Sequence, residues 1–292
     1  MSIRNLDRMF RPRSLAVIGA SERPHSVGAA LMRNLTQGGF AGPVVPVNPR
    51  AAAVHGILAY KDVAGLPIVP DLAIIATPPD TIAPLIDDLG RRGTRAAVIL
   101  TAGFAEGEAK AGREREAQLL NAARPYLLRI VGPNCLGIAV PGIGLNATFA
   151  PASVLPGNIA FLTQSGAMAT TVLDWALPRG IGFSAIVSMG DMSDVDFGDL
   201  LDYFALDDAT KAILIYAEGI THARKFMSAA RRAARIKPVI VVKSGRAEEG
   251  ARAATSHTGA LAGADVVYEA AFRRAGMLRV NEVEELFDAA AT

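Results

Sequence analysis

The strongest constraint on the fold is a recurring pattern. Short apolar runs are each followed by a turn and then by a stretch with helical spacing. In the first half the runs are Ser14–Gly19 (SLAVIG), Pro43–Val47 (PVVPV), Leu72–Ala76 (LAIIA), Ala96–Leu100 (AAVIL) and Leu128–Val131. Helical candidates lie between them at Gly28–Gly38, Thr81–Arg92 and Lys110–Ala123. Such runs are apolar at every position, so the strands they form must be covered on both faces. Strand–helix alternation of this kind predicts a parallel sheet with helices on each side. Residues 1–140 are therefore expected to form an N-terminal Rossmann-like α/β domain.

A Pro/Gly-rich connection follows from Pro133 to Gly157, with PNCLG, PGIGLN and APASVLPG in it. The pattern then restarts. Asn158–Thr163, Phe183–Val187, Ala212–Ala217 and Pro238–Val242 are strand candidates. Helices are expected at Ala167–Leu177, Phe197–Ala205 and His222–Ile236. Residues 155–292 are thus expected to form a second parallel α/β domain, flavodoxin-like in its short crossovers. In open parallel sheets ligands bind beyond the carboxyl ends of the strands, so the chemistry belongs in the turns that follow them.

The 292 residues suffice for two domains, and 51% hydrophobic against 20% charged is a core-forming composition. A formal charge of +2 argues against a nucleic-acid partner. The N-terminus lacks a signal-peptide core, and the apolar runs are too short and too punctuated for a membrane span. The single cysteine, Cys135, excludes an internal disulfide and suits a reducing, cytoplasmic setting. The terminal NEVEELFDAAAT has helical spacing with no Gly or Pro stop. That predicts a piece of a longer protein or a separately encoded subunit.

After the first strand, GASERPHSVG (Gly19–Gly28) opens a helix. Its small residues Gly19, Ala20, Ser21, Ser26 and Val27 let backbone N–H groups approach a phosphate, although a tight turn without ligand explains them too. The second strand ends in VNPR, with Asn48 and Arg50, where NAD-binding units carry an acid. An arginine there suits a ribose phosphate, as in NADP or coenzyme A, or is a plain surface residue. Thr77–Pro78, the Gly103–Phe104 turn and GPNCLG (with Asn134) end the next three strands. Cys135 reads as a small buried residue with no basic neighbour to activate it.

In the second domain QSGAM follows an apolar strand and opens a helix. Gln164, Ser165 and Gly166 can hold a phosphoryl group at the helix N-terminus, or Ser165 is simply an N-cap. Glu218 ends the strand AILIYA. It can accept a hydrogen bond from one imidazole nitrogen and leave the other nucleophilic, or be a solvated loop acid. TSHTGALAG (Thr255–Gly263) sets His257 among residues too small to bury it, as a mobile nucleophile would require, or His257 is a plain exposed loop histidine. Asp191, Asp194 and Asp196 could bind Mg2+, but helix capping explains them as well. No metal site is assigned. His25, in the first phosphate-type loop, could contact ligand or solvent, His55 and His222 read as surface residues, and Trp175 as core.

Taken in order, GAS…SVG, VNPR, GPNCLG, GLNATFAP, QSGAM, EGI and SHTGALAG resemble the α-type half of the NDP-forming acyl-CoA synthetases. These are the relatives of succinyl-CoA synthetase and of the ADP-forming acetate:CoA ligases. The resemblance runs from about Asp7 to Asp288. It implies a CoA-binding Rossmann-like domain followed by a flavodoxin-like ligase domain. It also implies interconversion of acyl-CoA, phosphate and NDP with carboxylic acid, CoA and NTP through an acyl phosphate and a phosphohistidine. The resemblance makes His257 the phosphorylated residue and Glu218 its orienting acid, with Gln164, Ser165 and Gly166 on the phosphate. CoA is expected against Gly19, Ala20, Ser21, Ser26, Val27, Asn48, Arg50, Thr77, Pro78, Gly103, Phe104 and Asn134. ATP or ADP and Mg2+ would come through an ATP-grasp β-type subunit or domain absent from these residues. An oligomer with that partner is expected, with a small carboxylic acid as co-substrate. The alternative is a CoA-sensing, ligase-like regulatory region of a protein lysine acetyltransferase. A third reading, an NADP-dependent oxidoreductase, is weakened by the missing G-x-G-x-x-G.

Overall fold

In the computed structural model, which describes residues 3–104, 109–245 and 265–291, each of the apolar runs forms a strand. A short helix, α1 (Asp7–Phe10), precedes β1 (Leu15–Ile18), α2 (Val27–Gln37) and β2 (Val44–Val47). A small hairpin, β3 (Ala53–Val54) and β4 (Ile57–Leu58), leads to β5 (Leu72–Ile75), α3 (Ile82–Arg92), β6 (Ala96–Ile99), α4 (Ala109–Ala123) and β7 (Arg129–Val131). The first sheet has the order β2-β1-β5-β6-β7, parallel throughout. β1, β5 and β6 are buried at every position, which is why the sequence shows no polar face in them. One face packs on α3 and α4 through Ile82, Ile86, Leu89 and Leu119. The other carries Leu31, Met32 and Leu35 of α2 and continues into the second domain's core.

The second sheet is built from β8 (Gly137–Val140), β9 (Leu145–Thr148), β10 (Pro156–Thr163), β11 (Phe183–Ser188), β12 (Ala212–Ala217), β13 (Val239–Lys243) and β14 (Leu278–Val280). Its helices are α5 (Gly166–Ala176), α6 (Phe197–Leu206), α7 (Ala223–Ala234), α8 (Asp265–Ala275) and α9 (Val283–Ala291). The order is β14-β13-β12-β10-β11-β8-β9. β10 to β14 run parallel, whereas β8 is antiparallel to both β11 and β9. The Pro/Gly-rich stretch after β7 therefore holds a hairpin, and that hairpin extends the second sheet. Its turn is Pro141–Gly144, with Gly144 at positive φ.

In each sheet the chain winds first to one side and then to the other. The switch points lie between β1 and β5 and between β10 and β12, the places where doubly wound sheets form ligand crevices.

The sheets are tied along β7. The loop after β11 runs beside it, with Ser193 N–H donating to Gly132 O at 3.2 Å, Val195 N–H to Ile130 O at 3.1 Å and Ile130 N–H to Asp194 Oδ2 at 2.8 Å. Arg129 donates to Asp194 at 2.9 Å and to Asp199 at 3.1 Å, and Lys225 reaches Asp199 at 2.6 Å. Burial pushes the Asp199 carboxyl up, against the pull of Lys225 and Arg129. Among the described residues no helix is long and apolar enough to cross a membrane.

Candidate active site

The first switch point is formed mainly by backbone. Gly19 ends β1 with φ +92°, and a Cβ there would lie 2.5 Å from Ala76 O, at the end of β5. A Cβ on Gly28, in the first turn of α2, would lie 2.0 Å from Gly19 O. The two glycines thus let the helix start pack directly on the strand end, as in phosphate-binding β–α turns. Ser26 caps α2 by accepting from Ala29 N–H at 3.3 Å, and Ser21 Oγ accepts from Arg23 N–H at 3.0 Å. Asn48 locks the end of β2 to this turn. Its Nδ2 donates to Ala20 O at 2.7 Å, while its Oδ1 accepts from Arg50 N–H at 2.8 Å and Ala51 N–H at 3.0 Å. The Arg50 side chain is exposed and forms no ion pair with a described residue.

The neighbouring strand ends continue the edge. Thr77 O accepts from Thr101 Oγ1 at 2.7 Å, Gly103 O from Arg115 at 3.0 Å, and Thr101 O from Asn134 N–H at 2.9 Å. Pro78 is exposed beside them. Phe104 and Ala20 differ from their neighbours, because both are buried in the core. Any contact they make with a ligand runs through backbone.

Asn134 is where the first edge meets the second switch point. A cleft of about 480 Å3 opens there, lined by Leu100, Ala102, Asn134, Cys135, Leu136, Phe149, Gln164, Ser165, Gly166, Ala167, Thr170, Gly190, Asp191 and Glu218. Ser165 caps α5, accepting from Met168 N–H at 3.2 Å. The N–H groups of Gly166 and Ala167, like the first of any helix, have no carbonyl four residues back to donate to. With the helix dipole they can favour an anion there. Gln164 spans the switch point, since its Oε1 accepts from Glu218 N–H at 2.6 Å and Gly219 N–H at 2.9 Å. Both partners are donors, so the oxygen must face them, which leaves the Nε2 hydrogens as the donor this side chain can offer. The structure thus brings Asn134, Gln164, Ser165, Gly166 and Glu218 together. His257 lies outside the described residues.

The cleft's other groups are largely committed. Cys135 is buried with its thiol donating to Ile99 O at 3.2 Å, and burial pushes its pKa up to about 12, so it is no nucleophile. Asp191 accepts from Asn134 Nδ2 at 3.2 Å. Asp194 is paired with Arg129, and Asp196 caps α6 while meeting Lys225 at 3.0 Å. Among the described residues no three His, Cys, Asp or Glu side chains gather as a metal site.

Sequence reading passed over Lys243, the buried last residue of β13. Its ammonium lies 4.8 Å from the Tyr268 ring centroid. Burial lowers its pKa, which Asp265 and, more weakly, Glu218 pull back up. The signal was a charge ending an otherwise apolar strand, at the same edge as Glu218.

Two families of known domains match the chain: the CoA binding domain over residues 13–141 and the succinyl-CoA ligase like flavodoxin domain over residues 156–292. The chain is 43% identical over 289 residues to the alpha subunit of acetate–CoA ligase [ADP-forming] I from Pyrococcus furiosus, covering 97% of this chain and 62% of that one. It is 44% identical over 283 residues to acetate–CoA ligase [ADP-forming] I from Archaeoglobus fulgidus, covering 97% of this chain and 41% of that one. Among solved structures, dinucleotide-forming acetyl-coenzyme A synthetase 1 of Ca. Korarchaeum cryptofilum, in complex with phosphate and ADP, superposes with a TM-score of 0.92. Its identity is 43%, over 97% of this chain and 61% of that one. The chain thus spans between two and three fifths of these relatives. With a CoA-binding domain leading into a succinyl-CoA-ligase-like flavodoxin domain, it belongs to the α-type half of the NDP-forming acyl-CoA synthetases.

Proposed function

We propose that the chain is the acyl- and phosphoryl-transfer half of an ADP-forming acid–thiol ligase, which interconverts acyl-CoA, phosphate and NDP with carboxylic acid, CoA and NTP. The observation that carries this reading is the convergence of Gln164, the N-terminus of α5 and Glu218 on one cleft, continuous through Asn134 with the strand ends of the first sheet. CoA lies along that first edge. Its phosphates meet Arg50 and the Gly19–Gly28 turn, where glycines at 19 and 28 let the start of α2 pack directly on the end of β1.

In the direction of NTP formation, a phosphate oxygen attacks the thioester carbon, and CoA leaves as thiol. The N–H groups of Gly166 and Ala167 and the amide of Gln164 hold the phosphoryl group. A His257 nitrogen then attacks phosphorus and releases the carboxylate. Glu218 accepts the proton-bearing nitrogen's hydrogen bond, which favours the tautomer with a nucleophilic second nitrogen. The phosphohistidine passes its phosphoryl group to ADP on an ATP-grasp subunit or domain, where Mg2+ also belongs. A cytoplasmic location accords with a single, unpaired cysteine. No observation favours the regulatory alternative, and the relatives named above are ligases.

The test is phosphorylation of the chain by labelled phosphate in the presence of acyl-CoA. The expected product is acid-labile and base-stable. His257→Ala should abolish it, and Glu218→Gln should slow it by about 10²–10⁴-fold. Labelling that survives His257→Ala would exclude this mechanism.

A further inference from the structure

β13 reads Val-Ile-Val-Val-Lys, and its last side chain is out of keeping with the rest. Lys243 is 5% exposed, at the carboxyl edge of the second sheet. Its ammonium donates to Ser244 O and lies over the Tyr268 ring of α8. Both partners are neutral. Burying an ammonium costs more than burying an apolar chain of similar length, so packing alone does not explain a lysine there.

The other charges on this side of the sheet are matched among themselves. Arg279 of β14 pairs with Asp265 and, at 3.2 Å, with Glu269, both on α8. Arg273 meets Glu269 at 3.4 Å. Two arginines thus face two acids. Among the described residues that act on the Lys243 charge, Asp265 and Arg279 offset one another, and Glu218 is the third.

Register brings Lys243 and Glu218 together. Lys243 pairs with Ala217 on β12, one residue before Glu218. Strand spacing and rise then put the two Cα atoms roughly 6 Å apart. Ser244 N–H donates to Ala217 O at 2.9 Å and holds that register at the edge, while Gln164 holds the Glu218 and Gly219 N–H groups from the other side. Tyr216, the near neighbour of Glu218, bonds Ser244 and is raised by burial, so it stays neutral.

Glu218 shares its cleft with Asp191. A phosphoryl group at the start of α5 would add more negative charge. Crowded anions take up protons, and a protonated Glu218 is a poor acceptor for an imidazole N–H. We propose that Lys243 is the buried counter-charge that keeps Glu218 an anion when phosphate is bound. It acts through Glu218, as a positioning residue. This rests on the acyl-CoA reading above.

The pH profile of phosphorylation tests the inference. Initial rates of labelling by labelled phosphate would be measured from about pH 5 to 8 for the full chain, Lys243→Met and Lys243→Arg. Acetyl-CoA drives the reaction, or phenylacetyl-CoA where acetyl-CoA is no donor. Losing the cation favours the protonated carboxyl, so the acid limb should move up by about one pH unit in Lys243→Met. Below the wild-type limb that is roughly a tenfold loss of rate. Lys243→Arg should leave the limb in place. Equilibrium denaturation should show Lys243→Met no less stable than wild type, since an apolar side chain is no worse buried there. Lys243→Gln carries the same kinetic expectation should the methionine variant not fold. In a Glu218→Gln background, Lys243→Met should not move the limb. A wild-type limb in Lys243→Met, with or without a uniform loss of rate, would overturn the inference, because a packing role lowers the rate alike at every pH. So would a limb that moves as far in Lys243→Arg, or one that still moves without the Glu218 carboxylate. Labelling of the wild-type chain by neither donor at any pH would instead overturn the functional reading, and this inference with it.

Discussion

The strand-to-helix turns at the two switch points, Gly19–Gly28 and Gln164–Gly166, play the same part in their sheets and are built on different principles. In the first, glycine is demanded by the protein itself. Cβ atoms at Gly19 and Gly28 would strike the backbone at 2.5 and 2.0 Å. In the second, Gly166 has room. Its nearest neighbours to an added Cβ are Leu136 Cβ at 3.5 Å and Ser188 Oγ at 3.8 Å, ordinary contacts. The first turn's glycines report packing. The second turn's glycine reports what must fit in the cleft.

This contrast yields variants that should part stability from activity. Gly28→Ala has the largest expected effect on folding, about 3 kcal/mol or more, because a backbone carbonyl cannot step aside as a side chain can. Equilibrium denaturation measures it, and a loss under about 1 kcal/mol would mean that α2 can shift and that the two turns are not so different. Gly166→Ala should leave stability unchanged or raise it by up to about 1 kcal/mol, since alanine is the better helix former. Its methyl would nevertheless crowd the phosphoryl position, and acyl-CoA-dependent labelling should fall roughly ten- to hundredfold. Full labelling in that variant would return Gly166 to the status of a plain helix start.

The smallest effect concerns Cys135, which lies between the two turns. Its thiol is raised by burial from an ordinary value of 9.0 to about 12. The folded state then holds the proton that the unfolded state releases. The resulting stabilisation is complete below pH 9 and is lost as the pH rises from 9 towards 12. At pH 8.5 the native chain should resist iodoacetamide and the denatured chain should react. Fast native alkylation would show that the cleft floor opens.

Most of the fold was legible because the strands are apolar on both faces, a pattern that survives without tertiary information. The hairpin β8–β9 was hidden by the same rule. Its strands are short, and the prolines and glycines around them read as a connection, although GIAV and LNAT flanking Pro141–Gly144 carry the hairpin signal. β14 was missed because it is a half-exposed edge strand of three residues. In the site, Gln164, Ser165, Gly166 and Glu218 were recognisable because each ends a strand or starts a helix. That Gln164 grips the N–H groups of Glu218 and Gly219 joins positions 54 and 55 residues apart, which local pattern does not record. Phe149 was passed over for a related reason, since an aromatic after a short strand reads as core until the cleft beside it is known. Asn48, expected on the ligand, turned out to spend its side chain holding the loop that would receive it.

The hairpin has a mechanical consequence. The polypeptide passes from one domain to the other as a hydrogen-bonded strand, β8, seated on β11, and not as a slack tether. Prising the domains apart would break the bonds between β7 and the loop after β11, Ser193 N–H to Gly132 O, Val195 N–H to Ile130 O and Ile130 N–H to Asp194 Oδ2. The joint is therefore a weld, and it fixes the spacing between the strand ends of the two sheets. The phosphoryl relay proposed above would then have to move its cargo on a part lighter than a domain.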